Sequence, residues 1–203
     1  VSLPRTQAAS PAAPANMPIP AELQAIFTEL SISPPTKDHA EVMTVEAGLE
    51  AVADLKCAFS KNLLIKDKKA GLYLVVVTAD RKVDMKLLPG KLGVTANFRF
   101  ADSAVLEEKL GVKQGAVSAL ALMNDKAGDV KVVVDSELMS ASGIGCHPLR
   151  NDTTCVLTPD ELTKFVTHTK HDPIVVDFQG AKAGAPGAPA APGAPAAPGA
   201  PAA

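Results

Sequence analysis

Lys61 and Asn62 lie side by side in the run "KCAFSKNLLIKDKKAGLYLVV", residues 56–76, and are the residues of this chain best placed to do chemistry. Successive side chains of an extended strand point to opposite faces, so Cys57, Phe59, Lys61, Leu63 and Ile65 share one side. All but Lys61 suit burial, and a lysine is seldom buried without a partner. Two readings follow. Either the lysine sits near a sheet edge and snorkels, its stem on apolar surface and its ammonium in water. Or the face lines a cleft, where a cation on a rigid strand meets an anionic or carbonyl-bearing ligand.

The other chemical candidates are dispersed. Gly115 precedes "AVSALAL", and His147 lies between Cys146 and Pro148. Neighbours on a strand face opposite ways, so Cys146 and His147 make a poor thiol–imidazole dyad. Neither a nucleophile elbow nor a phosphate loop is present, and "GIGCHP" lacks the third glycine of a dinucleotide fingerprint. No Cys or His pair has ligand spacing, so neither a metal nor a cofactor is expected. Cys57, Cys146 and Cys155 are odd in number and embedded in apolar runs, which fits reduced thiols in a cytoplasmic protein.

Charge is distributed unevenly. The net charge is only −2, yet Lys56 to Arg99 holds ten Lys or Arg against Asp67, Asp80 and Asp84. A local basic face on a near-neutral protein suits phosphate binding, although a solvated basic hairpin has the same composition. Seven aromatic residues are too few for serial base stacking. No apolar run approaches the roughly 20 residues that cross a bilayer, so a soluble, membrane-free protein is expected.

The elements that must position these residues read as a mixed α/β domain around a largely antiparallel sheet, from about residue 20 to 180. A helix over 20–31 precedes strand-like "EVMTV" and a short helix over 46–54. A hairpin follows, 56–66 and 72–78, turned by "DKKAG". "VDMKLLPGKLG" reads as a short helix interrupted near Pro89, with Asp84 as a possible cap, and "ANFRFA" as a strand. "DSAVLEEKLG" is a helix capped by Asp102 or Ser103 and ended by Gly111. "GAVSALALM" and "VKVVVD" read as a second hairpin around "NDKAGD". Strands "GIGCHPL" and "TTCVLT", a helix over "PDELTKFVTHTK" capped by Thr158, and the strand "PIVVDF" complete the domain. Residues 1–19 are Ala-, Pro- and Ser-rich and expected to be disordered. Residues 181–203 read as a Gly/Ala/Pro linker, with "GAPAAP" recurring from Gly187, that suggests attachment to a further domain.

The runs "SKNLLIKDKKAGLYLVVV", "VDMKLLPGKLG", "LGVKQGAVSALALMNDKAGDVKVVVD" and "CHPLRNDTTCVLTPDELTKFV" resemble the YbaK and prolyl-tRNA-synthetase-associated editing-domain family, in its alanine-specific trans-editing branch. The resemblance is continuous from Glu41 to Phe178. It implies a YbaK-like fold and hydrolysis of amino acids wrongly esterified to tRNA. The family's "KN" motif falls on Lys61 and Asn62, its Gly-x-x-x-Pro loop on Gly115 to Ala119, and its pocket histidine on His147. Ala119 departs from that loop's proline, which bears on substrate choice.

The resemblance thus implies catalytic roles for Lys61 and Gly115, and substrate binding by Asn62, Ala116, Ser118, Ala119 and His147. Lys66, Lys68, Lys69, Arg81 and Lys82 are then expected to track acceptor-stem phosphates. Mischarged Ala-tRNA(Pro) is the expected substrate, with a linked or associated prolyl-tRNA synthetase as partner. An aminoacyl ester is already activated, so its hydrolysis needs a positioned water and a stabilised oxyanion more than a protein nucleophile. Deacylation of Cys-tRNA or another small aminoacyl-tRNA, and a catalytically silent tRNA- or synthetase-binding appendage, are the alternatives.

Overall fold

The computed structural model describes residues 19–42 and 45–179. The N-terminal segment expected over 1–19, save its last residue, and the linker expected over 181–203 lie outside them. The longest ladder is the expected hairpin. β2 (Ala58–Asp67) and β3 (Gly71–Thr78) pair antiparallel from Ser60 opposite Thr78 to Asp67 opposite Gly71. Asp67 builds the turn: its carboxylate accepts the backbone N–H groups of Ala70, Asn97 and Lys69, which hold its pKa at about 2.

Tyr73 to Val77 of β3 are at most 1% exposed, as a β-branched and aromatic run at the centre of a sheet should be. Beyond β3 lie β5 (Val130–Asp135) and then β8 (Ile174–Val176), both in parallel register. On the far side of β2 come β6 (Ile144–Cys146), β7 (Thr153–Leu157) and β1 (Thr36–Asp38). The two-residue β4 (Arg99–Phe100) also pairs with β2. Four of the seven pairings are antiparallel, giving the expected mixed α/β fold.

Both faces are covered. On one, α1 (Ala21–Glu29), α4 (Ser103–Leu110) and α6 (Pro159–His168) pack over Leu74 and Val76, with Phe27 edge-on to Phe165 at 5.8 Å. A smaller cluster on the other joins Ile65, Tyr73, Val75 and Val77 to Leu88 and Phe98. The helix ends obey their sequence signals. Asp102 accepts from Val105 N–H, Gly111 closes α4 at φ +63, and Thr158 with Glu161 forms a capping box at α6.

Four expectations are corrected. "GAVSALALM" is not a hairpin strand: Ala119–Asn124 is a 3-10 helix whose Leu120, Ala121 and Leu122 are fully buried, and β5 reaches β3 in parallel instead. A short run that is apolar on every side fits a buried strand or a buried helical turn equally, and tertiary packing decides. Pro89 does not interrupt a helix but lies in the first turn of α3 (Leu88–Lys91), where its missing N–H has no helical partner to lose. Asp84 caps the preceding turn by accepting from Lys86 N–H. The strand expected at "EVMTV" lies earlier, at β1; residues 43 and 44 fall outside the described residues and α2 (Val45–Ala51) begins at Val45. "ANFRFA" contributes only its Arg99–Phe100, the two residues that reach β2.

The chain leaving β3 is clamped to β5. Arg81 donates to the fully buried Asp135 carboxylate at 3.1 Å and to Glu137, while Asp135 also caps α5 (Ser136–Met139) through Glu137 N–H. Asp135→Ala removes a cap and strands a partly buried guanidinium, so a loss of about 2–3 kcal/mol is expected in urea unfolding. Glu137→Ala, at the exposed end of the same pair, should cost under about 1 kcal/mol.

Candidate active site at a break in the sheet

β2 outruns its neighbours on one edge. β6 pairs with it only at Ala58 and Phe59, and β4 only at Ile65 and Lys66. Between them, no strand among the described residues covers the edge from Ser60 to Leu64. Ala58 N–H donates to Gly143 O at 2.8 Å, and Leu64 O accepts from Ala101 N–H at 2.9 Å. Backbone direction alternates along a strand, so Asn62, between these even-numbered positions, turns its N–H and C=O toward the same gap. A cavity of about 460 Å³ opens there, with Gly115 and His147 toward β6 and Phe100 and Ser103 toward β4.

The side chains sharpen this. The Asn62 amide nitrogen lies 3.4 Å from Ser60 Oγ, but its Oδ1 is buried without a hydrogen-bond partner. An unpaired buried acceptor costs about 1–3 kcal/mol, so the site is built for a donor from a ligand. His147 places Nδ1 at 3.0 Å from Thr153 O, which can only accept. The proton is therefore on Nδ1, and Nε2 presents a lone pair. Burial holds the His147 pKa below the ordinary 6.5, opposed by the Thr153 bond and aided by the His39 ring, 5.9 Å away. Phe59 stands edge-on to the imidazole at 5.5 Å.

The backbone at His147 is fixed too: its carbonyl accepts from Leu149 N–H at 2.9 Å and from Ser118 Oγ at 2.6 Å. Leu149 is held at φ +66, a strain of about 1–3 kcal/mol that the turn after His147 must support.

Lys61 answers the puzzle of its own position. The pleat puts its side chain on the face opposite Asn62's, where Nζ donates to Ala79 O at 3.2 Å and to Arg81 O. It is a half-buried cation with backbone partners, on a strand segment that also lines the cavity. Burial lowers its pKa and nearby Asp80 opposes that shift. Two of the three ammonium protons are engaged, leaving one.

Gly115 lines the cavity at φ +95, where a Cβ would lie 3.3 Å from Asn151 Nδ2. The positive φ is what calls for glycine, and a Cβ would also press on the Asn151 side chain. Val117 lines the cavity beside Gly115, whereas Ala116 and Ala119 pack in the main core and Ser118 donates to the His147 carbonyl.

The expected phosphate contacts do not form one strip. Lys66, Lys68 and Lys69 cluster at the β2–β3 turn, whereas Arg81 and Lys82 follow the far end of β3, about 25 Å away by strand rise. Arg81 is bound to Asp135 and Glu137, and Lys66 pairs with Asp102 at 2.5 Å; Lys68, Lys69 and Lys82 are exposed.

Among the described residues, neither Cys146 nor Ser60 is poised as a nucleophile. Burial pushes the Cys146 thiol up to about 12, and Ser60 gives its hydroxyl proton to Gly145 O at 2.7 Å. Sequence reasoning missed Ser60, Phe100 and His39. The His39 bond to Thr154 Oγ1, at 2.9 Å, spans 115 residues, and no local pattern signals it.

The orphaned Asn62 oxygen predicts a split between stability and activity. Asn62→Ala should leave the melting temperature unchanged or raised, since it removes an unpaired polar atom, while deacylation falls at least about tenfold. Calorimetry and a single-turnover assay on the same sample check both.

The chain is similar to known proteins over most of its length. The model of the aminoacyl-tRNA editing domain matches residues 39–165. Prolyl-tRNA synthetase associated domain-containing protein 1 of Xenopus laevis is 44% identical over 161 residues, covering 77% of this chain and 95% of that protein. The prolyl-tRNA editing protein ProX of Acetoanaerobium sticklandii is 35% identical over 139 residues, 68% of this chain and 84% of that one. Among solved structures, one described provisionally as a trans-editing enzyme for prolyl tRNA synthetase superposes with TM-score 0.62 over 80% of this chain and 99% of its own; at 17% identity it shows the fold. No helix among the described residues is long and apolar enough to cross a membrane. The chain belongs to the aminoacyl-tRNA editing domain family, and its reaction is the deacylation of aminoacyl-tRNA.

Proposed function

We propose that the substrate is Ala-tRNA(Pro). The observation that carries this reading is the His147 wall at the β6 end of the cavity, where the imidazole packs against Phe59 and His39 and is fixed by Thr153 and Ser118. Such a wall admits a methyl side chain and opposes the larger proline ring. The chemistry requires a second pocket, because a synthetic site gains only about 1–3 kcal/mol against an amino acid one or two methylenes smaller. The prolyl-tRNA editing name of the bacterial relative supports the tRNA half of this reading and names no amino acid.

In the proposed reaction a water oxygen bonds to the ester carbonyl carbon, the bond to the ribose oxygen breaks, and that oxygen takes up a proton. The Asn62 N–H faces the developing oxyanion, and Asn62 Oδ1 accepts from the substrate's α-ammonium. His147 Nε2 accepts a hydrogen bond from the attacking water. Lys61 supplies fixed positive charge, with one donor free, and Gly115 lets the ester approach the loop backbone. Lys68 and Lys69, with Lys66 beside them, meet acceptor-stem phosphates.

The partner is a prolyl-tRNA synthetase whose mischarged product the domain clears. This chain spans 95% of the Xenopus relative, which leaves that protein no room for a synthetase body. That length supports action in trans, and a linker-joined synthetase would raise the local concentration.

Labelled Ala-tRNA(Pro) should lose alanine rapidly while Pro-tRNA(Pro) persists; equal loss of both, or of neither, contradicts the assignment. Lys61→Ala should slow single-turnover hydrolysis by about 100-fold or more, with less than about threefold change in tRNA affinity. Because burial depresses the His147 pKa, its lone pair stays available through 6.5. The rate should thus stay level with falling pH until below that value. The same sign governs stability: the unfolded chain takes up this proton first, so the His147 contribution is full above 6.5 and is lost as pH falls through the lower folded value.

A further inference from the structure

We propose that Phe100 is the shelf on which the terminal adenine of the tRNA stacks. The inference rests on the deacylase reading of the cavity, but not on alanine as the amino acid. Phe100 is 63% exposed, the most exposed of the large hydrophobic residues among those described and the sole aromatic in that set. The other aromatic in the cavity wall, Phe59, is 8% exposed and committed to His147.

Phe100 is exposed yet held. It pairs with Ile65 of β2, Ala101 N–H bonds Leu64 O at 2.9 Å, and Asp102 then caps α4 and pairs with Lys66. A rigid aromatic face left open at a cavity mouth is suited to a flat π-system, which it can bind at little entropic cost. The site's dimensions name that π-system. The cavity of about 460 Å³ suits a ligand of drug size, large enough for an aminoacyl ester and its nucleoside and far too narrow for the acceptor helix. With the ester against Asn62 and the amino acid toward His147, the base attached to the same ribose must lie toward β4. A single stack also agrees with a chain that holds only seven aromatic residues.

Binding of uncharged tRNA(Pro) tests this without any aminoacyl chemistry, using tRNA with an intact CCA end and tRNA lacking its terminal adenosine. Wild type should prefer the intact tRNA, and Phe100→Ala should lose about 5- to 100-fold on the intact tRNA and almost nothing on the truncated one. Phe100→Trp, which keeps a stacking face, should retain the preference, and matched melting temperatures would show that both variants fold. An equal loss on both tRNAs, or unchanged binding to the intact one, would overturn the proposal. A preserved Phe100 effect together with no hydrolysis of Ala-tRNA(Pro) would leave the base shelf standing and remove alanine as the substrate.

Discussion

An unfinished hydrogen-bond ladder is the constraint on which the site depends. A central strand ordinarily satisfies its backbone on both sides, and β2 does so along β3. On its other edge β6 and β4 stop short, which leaves Asn62 facing a cavity with backbone donor, backbone acceptor and an unpaired side-chain oxygen. A gap of this kind persists only if the flanking strands are pinned. β6 is pinned by its antiparallel ladder with β7 and by Ser60 Oγ on Gly145 O, and β4 by Ala101 and the Lys66–Asp102 pair. Stability is given up at Asn62 so that polarity is ready there, which is the usual relation between a binding site and the scaffold around it.

The inert state of Cys146 and Ser60 has the same logic. Low dielectric raises the Cys146 thiol out of reach and keeps His147 neutral, so the cavity holds oriented dipoles and lone pairs rather than reactive anions. For an ester that is already activated, preorganised dipoles around a water are sufficient chemistry. Lys61 completes the arrangement as a charge tethered to the carbonyls of Ala79 and Arg81, and Arg81 is in turn anchored on buried Asp135. The anchoring of the β3 exit and the electrostatics of the site are thus one structure.

Local features were legible in the sequence. The β2–β3 hairpin, the caps at Asp102 and Thr158, and the left-handed Gly111 each follow from chemistry within a few residues. Lys61 and Asn62 stood out because they interrupted an apolar alternation, and the family resemblance added Gly115 and His147. What could not be read is set by distant contacts. The 3-10 helix at Ala119 and the parallel pairing of β5 with β3 arise from burial on all sides, which erases the periodic signal. The gap opposite Asn62 depends on where β6, more than 80 residues onward, happens to end. The basic residues read as one strip were neighbours in sequence but stand at opposite ends of a strand, and Arg81 has carboxylate partners more than 50 residues away.

The central claim is that the open edge at Asn62 is where the aminoacyl ester binds. Amide hydrogen exchange, followed by NMR with and without a non-hydrolysable alanyl-adenosine amide, addresses it directly. The account predicts that Asn62 N–H exchanges quickly in the free protein, unlike Lys61 and Leu63 on the β3 side, and becomes protected when the analogue binds. An Asn62 N–H already protected in the free protein, or an analogue whose shifts cluster away from β2, would contradict it.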